Sequence, residues 1–112
     1  MENEEQQRSA GMGLGLSGAA RRHLRGLAHH LNPLVSVGKA GLSDTLVAAT
    51  AEALADHELI KVRFVDHKSE RRQIGAALAD RVGGELITVV GHVAVLFKPQ
   101  DDPERSKIVL PE

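Results

Sequence analysis

The chain has 112 residues, the size of one domain, and its 14 Lys and Arg against 15 Asp and Glu leave a formal net charge of −1, with no global cationic excess for nucleic acid. Its apolar content is aliphatic apart from Phe64 and Phe97; Trp and Tyr are absent, and the lack of cysteine excludes disulfides, thiolate metal sites and thiol catalysis. No apolar run approaches a membrane span of roughly 18 to 20 residues, and the acidic start Met1-Glu2-Asn3-Glu4-Glu5 is unlike a secretory signal, so a cytoplasmic protein without membrane attachment is expected.

Residues 1–16 are polar and then glycine-rich with no hydrophobic period, which predicts a flexible tail. Ser17 is an N-cap candidate, and Leu24, Leu27, Ala28 and Leu31 recur as i, i+3, i+4 and i+7, so a first amphipathic helix is expected up to Asn32-Pro33. Gly26 inside it costs about 1 kcal/mol relative to Ala, which points to another backbone packed closely there. Leu34 to Val37 reads as a short strand leading into Gly38-Lys39-Ala40-Gly41 and a second helix opened by Ser43 and Asp44, with Leu46, Val47, Thr50, Ala53 and Leu54 inward.

Leu59 to Val65 alternates, placing Ile60, Val62 and Phe64 on one face and Lys61 and Arg63 on the other. A third helix is expected over Ser69 to Val82, burying Ile74, Ala77 and Leu78 and ending on a left-handed cap at Gly83-Gly84. Glu85 to Val90 and Val93 to Phe97 form a hairpin across Gly91-His92, where glycine in first place favours a type II′ turn. From Pro99 the chain is an extended C-terminal segment, 99–112, whose Ile108, Val109 and Leu110 are candidates to dock back. The order helix, strand, helix, strand, helix, strand, strand predicts a two-layer α/β domain over 17–98 with a mixed four-stranded sheet.

The strongest local signal is a strand, then Gly-x-x-Gly, then a helix N-terminus. Two glycines let a phosphate approach the backbone without a Cβ clash, and free amides and the helix dipole at Ser43 and Asp44 would face the anion. A plain tight turn is the competing explanation, and the carboxylate of Asp44 counts against an anion there. Around the loop, Lys39, Arg21, Arg22 and Arg25 lie close in sequence with no intervening carboxylate among the arginines, and Lys61 and Arg63 give one strand a basic face. These residues are the RNA-binding candidates: Gly38, Lys39, Ala40, Gly41, Arg21, Arg22, Arg25, Lys61 and Arg63.

Other motifs fall away. Gly13-Leu14-Gly15-Leu16-Ser17-Gly18 has the dinucleotide spacing without a strand before it, and His57-Glu58-Leu59-Ile60-Lys61 has Lys61 where a zinc-protease helix needs its second histidine. His29 and His30 point to different sides of a helix, and Asp56, His57 and Glu58 read as a solvated helix end. No nucleophile and base emerge, so neither catalysis nor a cofactor or metal is expected.

The segments His23-Leu24-Arg25-Gly26-Leu27-Ala28-His29, Val37-Gly38-Lys39-Ala40-Gly41-Leu42, His57-Glu58-Leu59-Ile60-Lys61-Val62, Gly91 with Val93 to Pro99, and Lys107-Ile108-Val109-Leu110-Pro111 occur together in order. In these the chain, from about Leu16 to Pro111, resembles the bacterial YhbY family, single-domain members of the CRM (chloroplast RNA splicing and ribosome maturation) group. The resemblance implies a fold like the C-terminal domain of translation initiation factor three, RNA binding centred on the Gly-x-x-Gly loop, and association with ribosomal RNA of the large-subunit precursor. It also implies a glycine at position 26. Phe97 and His92 depart from the tyrosine and the longer basic residue expected there. A monomer is expected, with ribosomal protein contacts conceivable; a module that binds a ribosomal protein or assembly factor is the alternative, and a phosphate-ester enzyme a third. Salt-dependent binding to RNA alone separates the first two.

Overall fold

A computed structural model describes residues 14–111. Ser17 opens helix α1 (Gly18–Ala28), its hydroxyl accepting from the Ala20 amide at 3.0 Å. The helix stops at Ala28, short of Asn32, and its buried stripe is Ala20, Leu24 and Ala28. Leu27 and Leu31, expected inside, are each 37% exposed. A spacing of i, i+4, i+8 gives one narrow line of contact, which suffices because α1 packs chiefly on the sheet.

Strand β1 (Val35–Val37) leads to helix α2 (Asp44–His57), which buries Leu46, Thr50 and Leu54. Thr50 is fully buried and meets its hydrogen-bond requirement by donating to Leu46 O at 2.7 Å. Strand β2 (Leu59–Phe64) is followed by a 3₁₀ turn (Lys68–Glu70) and helix α3 (Arg71–Val82), which buries Gly75, Leu78, Ala79 and Val82; Ile74 and Ala77 are only half-buried. Gly83, at φ +77°, is the left-handed cap expected there. Strands β3 (Glu85–Val90) and β4 (Val93–Phe97) form the hairpin, and Gly91 at φ +59° with His92 outside the left-handed region matches a type II′ turn.

The strands stand in the order β1-β2-β4-β3, with β1 parallel to β2 and the other pairs antiparallel. This is the expected mixed four-stranded sheet. Alternation then sends successive residues to opposite faces. Ile60, Val62, Phe64, Ala94 and Leu96 pack under α2 and α3, while Leu59, Val95, Phe97 and the bulged Ile87 pack under α1 with Leu24 and Ala28. Helices therefore cover both faces, and the expected two layers become three: α1, the sheet, and the α2-α3 pair. Helical periodicity marks which side of a helix is apolar; it carries no information on which side of the sheet receives it.

Glu58 corrects the expectation of a solvated helix end. It is fully buried at φ +66°, where its carboxylate accepts from the amides of Gln100 (2.8 Å), Lys107 (2.9 Å) and Ile108 (3.2 Å). Its own carbonyl takes the Lys98 amide at 2.8 Å. One side chain thus ties the C-terminal segment beneath the sheet, where Ile108 and Leu110 join the α1-side core while Val109 stays 84% exposed. Of the tail expected over 1–16, residues 1–13 lie outside the described residues. The Leu14 amide donates to Glu85 at 2.7 Å and Leu16 packs on the α1-side core, so the last of those residues engage the fold.

Candidate functional site

Because β1 and β2 are parallel, with Val37 opposite Phe64, the loops leaving their C-terminal ends share one edge of the sheet. The β3-β4 turn reaches the same edge, since Val93 lies opposite Arg63 and the Phe64 amide donates to His92 O at 2.7 Å. Three loops therefore converge: Gly38 to Gly41, Val65 to His67, and Gly91-His92.

Gly38-Lys39-Ala40-Gly41 is a β-turn closed by the Gly41 amide donating to Gly38 O at 3.0 Å. Gly41 is buried at φ +66°, a conformation that favours glycine. Gly38 has no such constraint, and a Cβ added there would meet nothing within 4 Å, so nothing in the fold itself demands glycine at that position. Lys39 and Ala40 are exposed, and among the described residues their amides find no protein acceptor. The turn amides without a protein acceptor among the described residues are thus those of Lys39 and Ala40, whereas the Gly41 amide is used within the turn.

The helix terminus behind the loop carries two features that disfavour the anion suggested by the strand-loop-helix order. The Ser43 hydroxyl accepts from the Leu46 amide at 3.1 Å, and Asp44, whose carboxylate is fully exposed and 3.3 Å from Arg81, adds negative charge in the first turn. The first turn of α2 thus offers an anion one amide fewer and a carboxylate in the way.

The basic side chains around the loop divide. Arg21 is drawn inward: its guanidinium pairs with Glu85, which is 9% exposed, and donates to the carbonyls of Leu86 (2.9 Å) and Ile87 (3.1 Å). It braces the edge strand β3 and is removed from the expected cationic track. Arg22 and Arg25 remain exposed on α1, with no ion pair among the described residues. Arg63 is exposed and Lys61 half-buried on the sheet face that carries α1, so these four cations lie on one side of the sheet. Gly26 also lies open on α1, where an added Cβ meets nothing within 4 Å, so the close packing expected there is absent.

The residue that local pattern did not single out is His67. Its ring Nε2 lies 2.8 Å from Lys39 O, its Nδ1 3.4 Å from a Glu70 carboxylate oxygen, and the ring rests on Gly41. The bond to the Lys39 carbonyl holds its pKa above the ordinary histidine value; partial burial opposes this, and the hydrogen bond to Glu70 with the charges of Asp66 and Glu70 adds to it. The sequence separation of 28 between Lys39 and His67 hides the pair from any local motif. Only the parallel pairing of the two preceding strands could have revealed it. Among the described residues no group of three His, Asp or Glu side chains is placed to hold a metal ion, and no helix is long and apolar enough to cross a membrane.

Comparison with known proteins gives a match to the CRS1 / YhbY (CRM) domain over residues 16–98. The chain is 39% identical over 97 residues to a Haemophilus influenzae protein named "RNA-binding protein", covering 86% of this chain and 95% of that one. It is 36% identical over 97 residues to the Bacillus subtilis "Probable RNA-binding protein YqeI", covering 86% and 99%. Among solved structures, the solution structure of the hypothetical protein SAV1595 from Staphylococcus aureus superposes with a TM-score of 0.72 at 29% identity, over 86% of this chain and 99% of that one.

Proposed function

Given that this chain belongs to the CRS1 / YhbY (CRM) domain family, we propose that it is an RNA-binding protein that seats the backbone of folded RNA on the turn Gly38 to Gly41. The observation that carries this reading is the turn itself: exposed, open at Gly38, and with the Lys39 and Ala40 amides left without a protein acceptor among the described residues. Phosphate oxygens accept from those amides, Lys39 adds a point charge, and Arg22, Arg25, Lys61 and Arg63 extend the track on the α1 side of the sheet. Arg21 serves the fold.

Both phenylalanines are 1% exposed, so neither offers a platform on which bases could stack. Shape and backbone are then what the protein reads, which suits a structured RNA. The finer reading is a monomeric, cytoplasmic, non-catalytic assembly factor that contacts ribosomal RNA of the large-subunit precursor.

The test is Lys39→Asp with Ala40→Asp, which keeps both glycines and alters only exposed side chains. One favourable charge is lost and two repulsive ones are added, so affinity for a folded large-subunit ribosomal RNA fragment at fixed salt should fall tenfold or more, about 1.4 kcal/mol. Circular dichroism and melting should be unchanged. Binding within about twofold of the parent reduces the loop to a plain turn. Val65 and Val90, 59% and 66% exposed at the same edge, favour a protein contact as the second reading. That reading gains if the double mutant loses RNA yet still co-sediments with large-subunit precursors.

A further inference from the structure

We propose that His67 is the positioning residue of the Gly38 to Gly41 turn and that, as an imidazolium, it links the turn's hold on RNA to proton uptake. The inference rests on the RNA-binding reading of this loop. A carbonyl oxygen only accepts, so Nε2, 2.8 Å from Lys39 O, must carry a proton. A carboxylate also only accepts, and Nδ1 faces one at 3.4 Å. Both contacts are favourable together only when the ring is doubly protonated.

The placement is built by the chain around it. His67 adopts φ +57°, uncommon for a non-glycine residue though histidine is among those enriched there, and the Asp66 carboxylate accepts its amide at 2.7 Å in support. The ring lies so close to Gly41 that a Cβ there would come within 3.3 Å of Nε2. The turn is thus held from beneath by a side chain on the neighbouring loop, and the bond is made to the carbonyl of Lys39, whose amide and side chain are the proposed phosphate donors. The charged groups that act on the ring are Asp66 and Glu70, and both favour the imidazolium, while the Arg71 guanidinium is directed to Lys68 O at 2.7 Å.

The sign of the linkage follows. With its pKa raised in the fold, the contribution of His67 is complete below the unfolded histidine value of 6.5 and is lost as pH rises through the folded value. Phosphate at the turn favours the same protonated state, so RNA binding takes up a proton and weakens toward alkaline pH.

Two measurements on the full chain test this. In the free protein, the amide resonances of Lys39, Ala40 and Gly41 should follow the titration of the His67 ring, and His67→Gln, which can donate to Lys39 O without a charge, should abolish that response. His67→Asn, which tolerates left-handed backbone better, serves if the glutamine variant does not fold. Titration with a folded large-subunit ribosomal RNA fragment at fixed salt should show the parent losing about fivefold more affinity than the variant between about pH 6 and pH 8.5, the scale of one weakened hydrogen bond. Taking the difference from the variant removes any share of His29, His30 and His92. Loop amides that ignore the His67 titration overturn the inference whatever the RNA does, as does an identical pH dependence of binding in parent and variant. An intact titration with no RNA binding by the parent strikes instead at the RNA-binding reading, and with it the linkage.

Discussion

Glu58 is fully buried with no ion pair among the described residues, and its carboxylate is held by main-chain N–H groups. Burial alone raises its pKa, but the hydrogen bonds from Gln100, Lys107, Ser106 and Ile108 together outweigh that and leave it below the ordinary carboxylate value. A depressed folded pKa means that its stabilisation is present above the unfolded value of 4.5 and is lost as pH falls through the folded one. Glu58→Gln retains the shape but turns an NH₂ donor toward amide donors, and should cost about 1 to 3 kcal/mol at neutral pH. Urea unfolding of both proteins from neutral to acid pH should show the gap closing below about pH 4. A gap that stays constant with pH would mean that the charge plays no part. Glu58 was not legible in sequence because an Asp-His-Glu run after a helix is the usual composition of a solvated end. Its burial depends on a segment some 40 to 50 residues later folding back over it.

Among the elements, β3 is an edge strand whose bulge at Ile87 leaves the carbonyls of Leu86 and Ile87 to the Arg21 guanidinium. Edge carbonyls left open invite pairing with another chain, and a bulge with a cation over it blocks that route. Arg21→Ala should destabilise the domain by roughly 2 kcal/mol, less than the ~3 to 5 kcal/mol of breaking a fully buried pair because its side chain keeps solvent contact. Arg22→Ala should leave stability within about 0.5 kcal/mol, as expected of an exposed substitution. Equal melting of the two variants would remove the structural role assigned to Arg21. The three arginines look alike in sequence, and what separates them is where Glu85, 64 residues away, meets α1: Arg22 is turned about 100° from Arg21, and Arg25 lies one turn further along. Element order, sheet composition and the two glycine turns were legible because alternation, caps and φ > 0 positions are local. The face of the sheet chosen by α1 was not, and that choice gathers Lys61 and Arg63 on the same side as Arg22 and Arg25.

For the whole molecule, a net charge of −1 argues against polyanion binding only if charge is evenly spread. It is not. Arg21 and Arg81 are paired with carboxylates, whereas Arg22, Arg25, Lys39 and Arg63 remain exposed on α1, the loop and the adjoining strand. If those four each neutralise one phosphate, counterion release predicts a log-log slope of affinity against salt of about −3, using the coefficient of roughly 0.7 per contact for single strands. Arg22→Ala with Arg25→Ala removes two contacts and should flatten the slope to about −1.4 while the melting temperature holds, because neither side chain enters the α1 stripe of Ala20, Leu24 and Ala28. The measurement is titration of one folded RNA fragment at four or more salt concentrations with parent and double variant. A slope unchanged in the folded double variant would take α1 out of the interface and confine binding to the loop edge. A parent slope near zero would mean that phosphate contacts contribute little, and would leave the exposed valines at that edge, with a protein partner, as the better account.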